Sequence, residues 1–300
     1  MKGYRLGTID ITGNEQNIQI QENIPKETYD LIEHHTLNVH HHIMHQELFY
    51  IFLMNFIDFD KYLENALNSF LQKKNFNLLD NNIPEVKYVS RNANRFLFNF
   101  LTSARTYLDH TETYLKRKYG VNSPEFIKFK EQTNVLYDSH FEYRFIYKLR
   151  NYAQHCAIPL NRITLEYQGT DLEGRKLSLT PIFDKNELLK NYSDWGLQVK
   201  ADFDTQPDEM LAIKIMGVYY KCLETLNNLF ITLEKPSLKI SIEYLENFIL
   251  ENFANKKVTE STQCCIFYDF ILKKPDSYEG ATFSTYVYPK QMIQTVKNYR

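Results

Sequence analysis

Helix-breaking residues are so sparse in this chain that long helices are the main structure open to its first half. Proline and glycine number 9 each among 300 residues, and neither occurs between Pro25 and Pro84 or between Pro84 and Gly120. Pro25, at a first helical position where its missing N–H costs nothing, predicts a helical stretch to about Phe76. Pro84 opens a second predicted helix, to Tyr119, with Leu97, Leu101, Ala104, Leu108 and Leu115 at near-heptad spacing. Gly120 closes it, and Ser123 and Pro124 cap the next segment. The first two helices are expected to be an antiparallel pair. With 22 Tyr and 21 Phe to bury, their cores should be aromatic.

A third amphipathic segment runs from Ser123 to Cys156 and reads as one helix, stopped at Ile158-Pro159. Beyond it the hydrophobic period changes. Ile163, Leu165 and Tyr167 alternate with Arg162, Thr164 and Glu166, Gly169 to Gly174 makes a loop, and Leu177 and Leu179 alternate back as a hairpin. Residues 4 to 20 form a similar hairpin around Gly13-Asn14. Asp184 and Glu187 resemble a capping box for a short helix. Pro207 to Glu234 and Ser237 to Phe253 read as two helices separated at Pro236, followed by strands over Cys265 to Leu272 and Ala281 to Tyr288 and a short amphipathic end. The expected fold is mainly α, an antiparallel helical bundle with small β-hairpin additions. Its segments are an N-terminal hairpin (1-25), a helical core (26-160), a hairpin and short helix (161-205), helices completing the bundle (206-255) and a small β-containing tail (256-300).

Several functions are excluded or disfavoured. There is no GxGxxG and no GxxxxGK[ST], which removes P-loop nucleotide hydrolysis. The longest apolar run, Leu48 to Met54, is far below the ~18 residues a membrane span needs, and MKGYRLGTIDITGNE has no apolar signal region, so a soluble cytoplasmic protein is expected. Cys156, Cys222, Cys264 and Cys265 form neither a CxxC pair nor a spaced disulfide framework, which suits a reducing compartment. A formal net charge of -2 argues against coating nucleic acid non-specifically, which needs many cations to release counterions. It does not argue against a nuclease.

The chemistry concentrates in Arg150-Asn151-Tyr152-Ala153-Gln154-His155. On a helix Asn151 and His155 are i,i+4 neighbours, and Arg150 lies about 100° round from Asn151, within reach of a long side chain. A fixed cation, an amide and an imidazole so placed can bind and cleave a phosphodiester. Ile146, Leu149, Ala153 and Cys156 at 3,4,3 spacing mark the expected core face, with Asn151 and His155 turned from it. Arg144 and Lys148 could grip phosphates beside Arg150 or merely solvate the helix, and Tyr147 is a neighbour of Asn151 or a packing aromatic.

Spacing alone is weak support. With 10 arginines and 9 histidines, about 0.3 pairs at this separation arise by chance, and a second pair, Arg105 and His110 in RTYLDH, does occur. That pair either lines the opposite wall of a groove or is accidental. Asp109 and Glu112 could orient His155 or Arg150, or make surface pairs.

Six of the nine histidines fall between His34 and His45. His41 and His45 are at metal-sharing spacing, but no HExxH and no obvious third ligand accompany them, so a polar helix surface or a contact patch for RNA or a subunit is preferred. No metal site and no cofactor are expected.

FIYKLRNYAQHCAIPL, Phe145 to Leu160, with LTSARTYLDHTE on the preceding arm, resembles the HEPN superfamily of small helical domains, marked by Arg, four to six residues, then His, with a polar residue directly after the Arg. Arg150, Asn151 and His155 meet that pattern, and the resemblance covers about 60 residues, Leu97 to Leu160. It implies a metal-independent endoribonuclease of a toxin or antiviral system. RNA would be its substrate, an antitoxin or other defence-system protein its partner, and a homodimer would build the active site. In that chemistry His155 removes the 2'-hydroxyl proton, the oxygen attacks phosphorus, and Arg150 neutralises the non-bridging oxygens. One motif supplies one imidazole, and a second copy supplies the acid for the leaving group. A non-catalytic RNA-binding or scaffold protein is the alternative, and a metal-dependent hydrolase centred on the histidines from His34 to His45 is a third class.

Overall fold

A computed structural model describes residues 3–12, 15–71, 84–160, 162–168, 176–253, 262–271 and 282–298. The far end of the first predicted helix near Phe76, the Gly13-Asn14 turn, the Gly169 to Gly174 loop, Leu272 and Ala281 lie outside the described residues. Over the described residues the protein is mainly helical, with two antiparallel sheets. It divides into two compact units, residues 1–44 with 234–300, and residues 45–233. The units follow spatial neighbours and not chain order, so the N-terminal hairpin and the C-terminal strands share one unit.

In the first unit β1 (Tyr4–Thr12) pairs with β2 (Glu15–Ile24), as the alternation predicts, and also with β6 (Thr262–Ile271), which pairs with β7 (Thr282–Val287). Leu6 faces Ile266 across β1 and β6, and both are buried with Ile32, Val39 and Leu245. No sequence pattern announces a pairing across some 250 residues, because register between distant strands is set by the core they share.

The second unit is built on a three-helix meeting. α1 (Lys26–Leu71) and α2 (Pro84–Tyr119) run antiparallel there: Phe49 meets Tyr107 at 5.4 Å, Phe52 meets Phe100 at 5.0 Å and Tyr62 meets Phe96 at 5.3 Å. Phe52 and Phe100 also meet Tyr219 of α7 (Ala212–Phe253). The predicted antiparallel pair and its aromatic core are both present. Gly120 ends α2 at φ 91°, a left-handed conformation that costs glycine least. Asp184 accepts from the Glu187 N–H at 3.1 Å and caps α5 (Lys185–Asn191), as read from the sequence.

Four features differ from the sequence reading. The single helix expected over Ser123 to Cys156 is two, α3 (Pro124–Ser139) and α4 (Phe141–His155), with extended His140 between them. Arg144 explains the break: its Nη1 donates to the carbonyls of Tyr137 and Asp138, taking up acceptors that the end of α3 leaves open. The two helices expected either side of Pro236 are one, α7. Pro236 and Thr232, whose carbonyl it deprives of a helical donor, are both exposed, so water can satisfy that oxygen. Pro207 to Leu211 is not helical: β5 (Glu209–Leu211) closes a sheet of order β3-β4-β5 with β3 (Arg162–Gln168) and β4 (Lys176–Asp184). A further helix, α6 (Leu197–Thr205), follows Gly196 and was not expected.

Candidate functional site

α4 is held from one side by aromatic packing. Fully buried Trp195 stacks on Phe145 and on Tyr152, each at 5.8 Å, and its indole N–H donates to the Leu188 carbonyl at 3.4 Å. This wedge turns the core face from the one the spacing suggests. Ile146 and Leu149 are buried as expected, but Ala153 is half-buried and Cys156 exposed, while Tyr143, Phe145 and Tyr152 are buried. A rule that counts aliphatic residues at 3,4,3 intervals misses these three rings.

The end of α4 is fixed by a side chain that sequence reasoning overlooked. Asn94, buried on α2, accepts from the Leu160 N–H at 3.0 Å and donates to the Leu160 carbonyl at 2.7 Å. Its signal was a lone amide three places before Leu97 on the apolar stripe of α2, since a buried amide must find polar partners.

Arg150 and Asn151 are half-buried and His155, the last residue of α4, is exposed. The Arg150 Nη1 donates to Asn151 Oδ1 at 3.4 Å, so the guanidinium does swing toward the amide. Its Nε is buried without an acceptor, a group whose desolvation costs about 1–3 kcal/mol until a partner is found. No carboxylate pairs with Arg150 among the described residues. With the Asn151 oxygen taken by Arg150, its amide nitrogen is left as a donor. The fold thus brings cation and amide together, with the imidazole one turn on along the same face.

Most of the other basic and acidic residues are committed elsewhere. Arg144, 8% exposed, binds Asp202 of α6 in a two-pronged pair, Nε to Oδ2 and Nη2 to Oδ1 each at 2.9 Å, besides the two α3 carbonyls. Its guanidinium is therefore used within the fold and is not offered to a phosphate. Lys148 is half-buried, and its chain end lies against Gly196, whose φ of 80° suits glycine. On α2, Arg105 pairs with Asp109 at 2.7 Å and its Cζ sits 5.2 Å from the Tyr147 ring centre. Glu112 pairs with Lys130 at 3.0 Å, so neither acid is placed to orient His155 or Arg150. His110 has an exposed side chain, and its carbonyl meets His45 Nε2 at 3.3 Å. Burial pushes the Tyr143 hydroxyl well above the ordinary phenol range and the Cys222 thiol up to about 11, so neither ionises near neutral pH.

The histidine cluster is dispersed by burial. His41 is exposed, whereas His45 is buried between Tyr114 at 4.5 Å and Phe230 at 5.1 Å. His35 Nδ1 lies 3.0 Å from Ser241 Oγ, and burial lowers its pKa. Among the described residues no three His, Cys, Asp or Glu side chains are grouped as a metal ion requires, and no helix is long and apolar enough to cross a membrane. No family model, curated protein or solved structure matches the chain.

Proposed function

We propose that the protein is a metal-independent endoribonuclease of HEPN type, acting as a toxin or antiviral-defence effector, with Arg150, Asn151 and His155 as its working residues. The observation that carries this reading is the state of Arg150: a guanidinium with no acidic partner among the described residues, bonded to the adjacent amide, on a helix that ends in an exposed imidazole. A structural arginine is normally neutralised, as Arg144 is by Asp202. An arginine kept unpaired is suited to an anion that arrives from outside, and a phosphodiester supplies one. α2, α3 and α4 would then be the HEPN-like core that presents it.

In this reading His155 accepts the proton of a 2'-hydroxyl, and that oxygen forms a bond to phosphorus as the P–O5' bond breaks. Arg150 and the Asn151 amide N–H stabilise the charge on the non-bridging oxygens, an effect worth on the order of 10²-fold or more. The leaving 5'-oxygen takes its proton from a second imidazole, His155 of a second copy in a two-fold dimer. The substrate is RNA, because the nucleophile belongs to it.

The test is the chemistry of the ends. Incubation with RNA in EDTA should leave 2',3'-cyclic phosphate and 5'-hydroxyl termini, and a 2'-deoxy residue at the cut position should abolish cleavage there. Primary 5'-phosphate products, or cleavage that EDTA stops, would overturn the mechanism. RNA binding with no cleavage by the dimer would support a non-catalytic scaffold instead.

A further inference from the structure

Three tyrosines on α4 have distinct fates. Tyr143 is 2% exposed and Tyr152 1%, both locked in the core, but Tyr147 is 38% exposed. Tyr147 precedes Asn151 by four residues, about one turn or 6 Å along the helix, and so shares its face. The ring is nevertheless not loose. Arg105 of α2 lies against it at 5.2 Å, and Tyr137 of α3 meets it at 6.3 Å with the ring planes at 86°. An exposed aromatic gripped by two neighbouring helices has lost its conformational freedom in advance, so a partner that stacks on it does not bear that entropy.

We propose that Tyr147, backed by Arg105, is a stacking platform for an unpaired base next to the phosphate held by Arg150 and Asn151. The ligand follows from the ribonuclease reading, on which this inference rests. A strand whose phosphate sits at Asn151 places its neighbouring base one helical turn away, and a base can lie on a ring only if it is not inside a duplex. Arg105 keeps its charge balanced by Asp109, so its role is to hold the ring and not to take a phosphate. Every base has a π-face, so the platform selects single-stranded over paired RNA and is tolerant of sequence. Tyr147 is thus a binding residue, and Arg105 a positioning residue acting through it.

The test uses the full-length protein and short single-stranded oligonucleotides carrying one ribonucleotide at the cut position, with a normal or an abasic residue on either side. Binding is read by fluorescence anisotropy with His155→Ala, and cleavage with His155 intact. Tyr147→Leu should weaken binding about 5- to 100-fold and raise KM alike, leaving kcat at saturating RNA within about 3-fold, while Tyr147→Phe should bind like the natural protein. Arg105→Ala should weaken binding less than Tyr147→Leu does and leave kcat unchanged. An abasic residue on one side should cost the natural site the same factor and add nothing in Tyr147→Leu. An abasic substitution without effect on either side overturns the platform, whether or not the variant folds, as does equal loss in Tyr147→Phe and Tyr147→Leu, or absence of RNA binding. Tyr147-dependent binding without any cleavage would overturn the ribonuclease reading and leave the platform standing. Cleavage lost in His155→Ala but indifferent to Tyr147→Leu would do the reverse.

Discussion

Two strings of identical spacing, Arg105 to His110 on α2 and Arg150 to His155 on α4, end in different states. Arg105 is neutralised by an acid one turn along its own helix and rests on a ring. Arg150 has an amide as its neighbour and, among the described residues, no acid. The difference lies in the residues between: Asp109 stands four places after Arg105, where i,i+4 geometry lets it reach back, whereas position 154, four places after Arg150, is Gln154. A spacing rule cannot separate the two strings. The charge at the fourth place does.

The largest expected effect breaks the comparison outright. His155→Ala and Arg150→Ala should each lower RNA cleavage by about 10²-fold or more, with fold retained, and His110→Ala should be silent. Cleavage that survives His155→Ala and dies with His110→Ala would mean that the α2 string is the working one.

Next in size is the fate of Arg144, the arginine on α4 that does have an acid. Asp202→Ala leaves its guanidinium without the paired carboxylate and should lower stability by about 2 kcal/mol in denaturant unfolding, discounted for partial exposure of the acid. An unchanged midpoint would show that the pair does not hold α6 to α4.

Asp109→Asn asks whether pairing alone silences Arg105. The exposed ion pair should contribute only about 0.5 kcal/mol to stability, and cleavage should persist, since freeing Arg105 does not bring it an amide and an imidazole. A gain of cleavage that depends on His110 would show that the two strings differ by that one charge.

The smallest effect concerns a histidine outside both strings. Burial lowers the folded-state pKa of His35 below its ordinary value, so the unfolded chain binds the proton more readily. Its contribution to stability is fully present above the unfolded pKa of about 6.5 and is lost as pH falls through the lowered folded value. The thermal midpoint should drop between pH 7 and pH 5, and His35→Gln should drop less. A steeper fall in the variant would place the acid sensitivity elsewhere.

Many of the helix boundaries were legible. Pro25, Pro84, Gly120 and Ser123 mark helix boundaries because each acts on its own neighbours, and the capping pair Asp184 and Glu187 is local for the same reason. The break at His140 was not legible, because it depends on Arg144 finding two carbonyls and on Asp202, 58 residues later, holding it there. Pro236 reads from the sequence as a boundary between two helices, yet one helix passes through it where solvent can take up the freed carbonyl.

By itself the sequence determined the helical class, most element boundaries, the aromatic nature of the core and the adjacency of Arg150, Asn151 and His155, because those properties act over one to four residues along a helix. Tertiary structure decided which face of α4 is buried, that Arg144 is neutralised by Asp202, which tyrosine stays exposed and which strands pair. Each of these depends on partners far away in the chain, Trp195, Asp202, Arg105 and β6, and a partner's position in space is not contained in spacing along the chain.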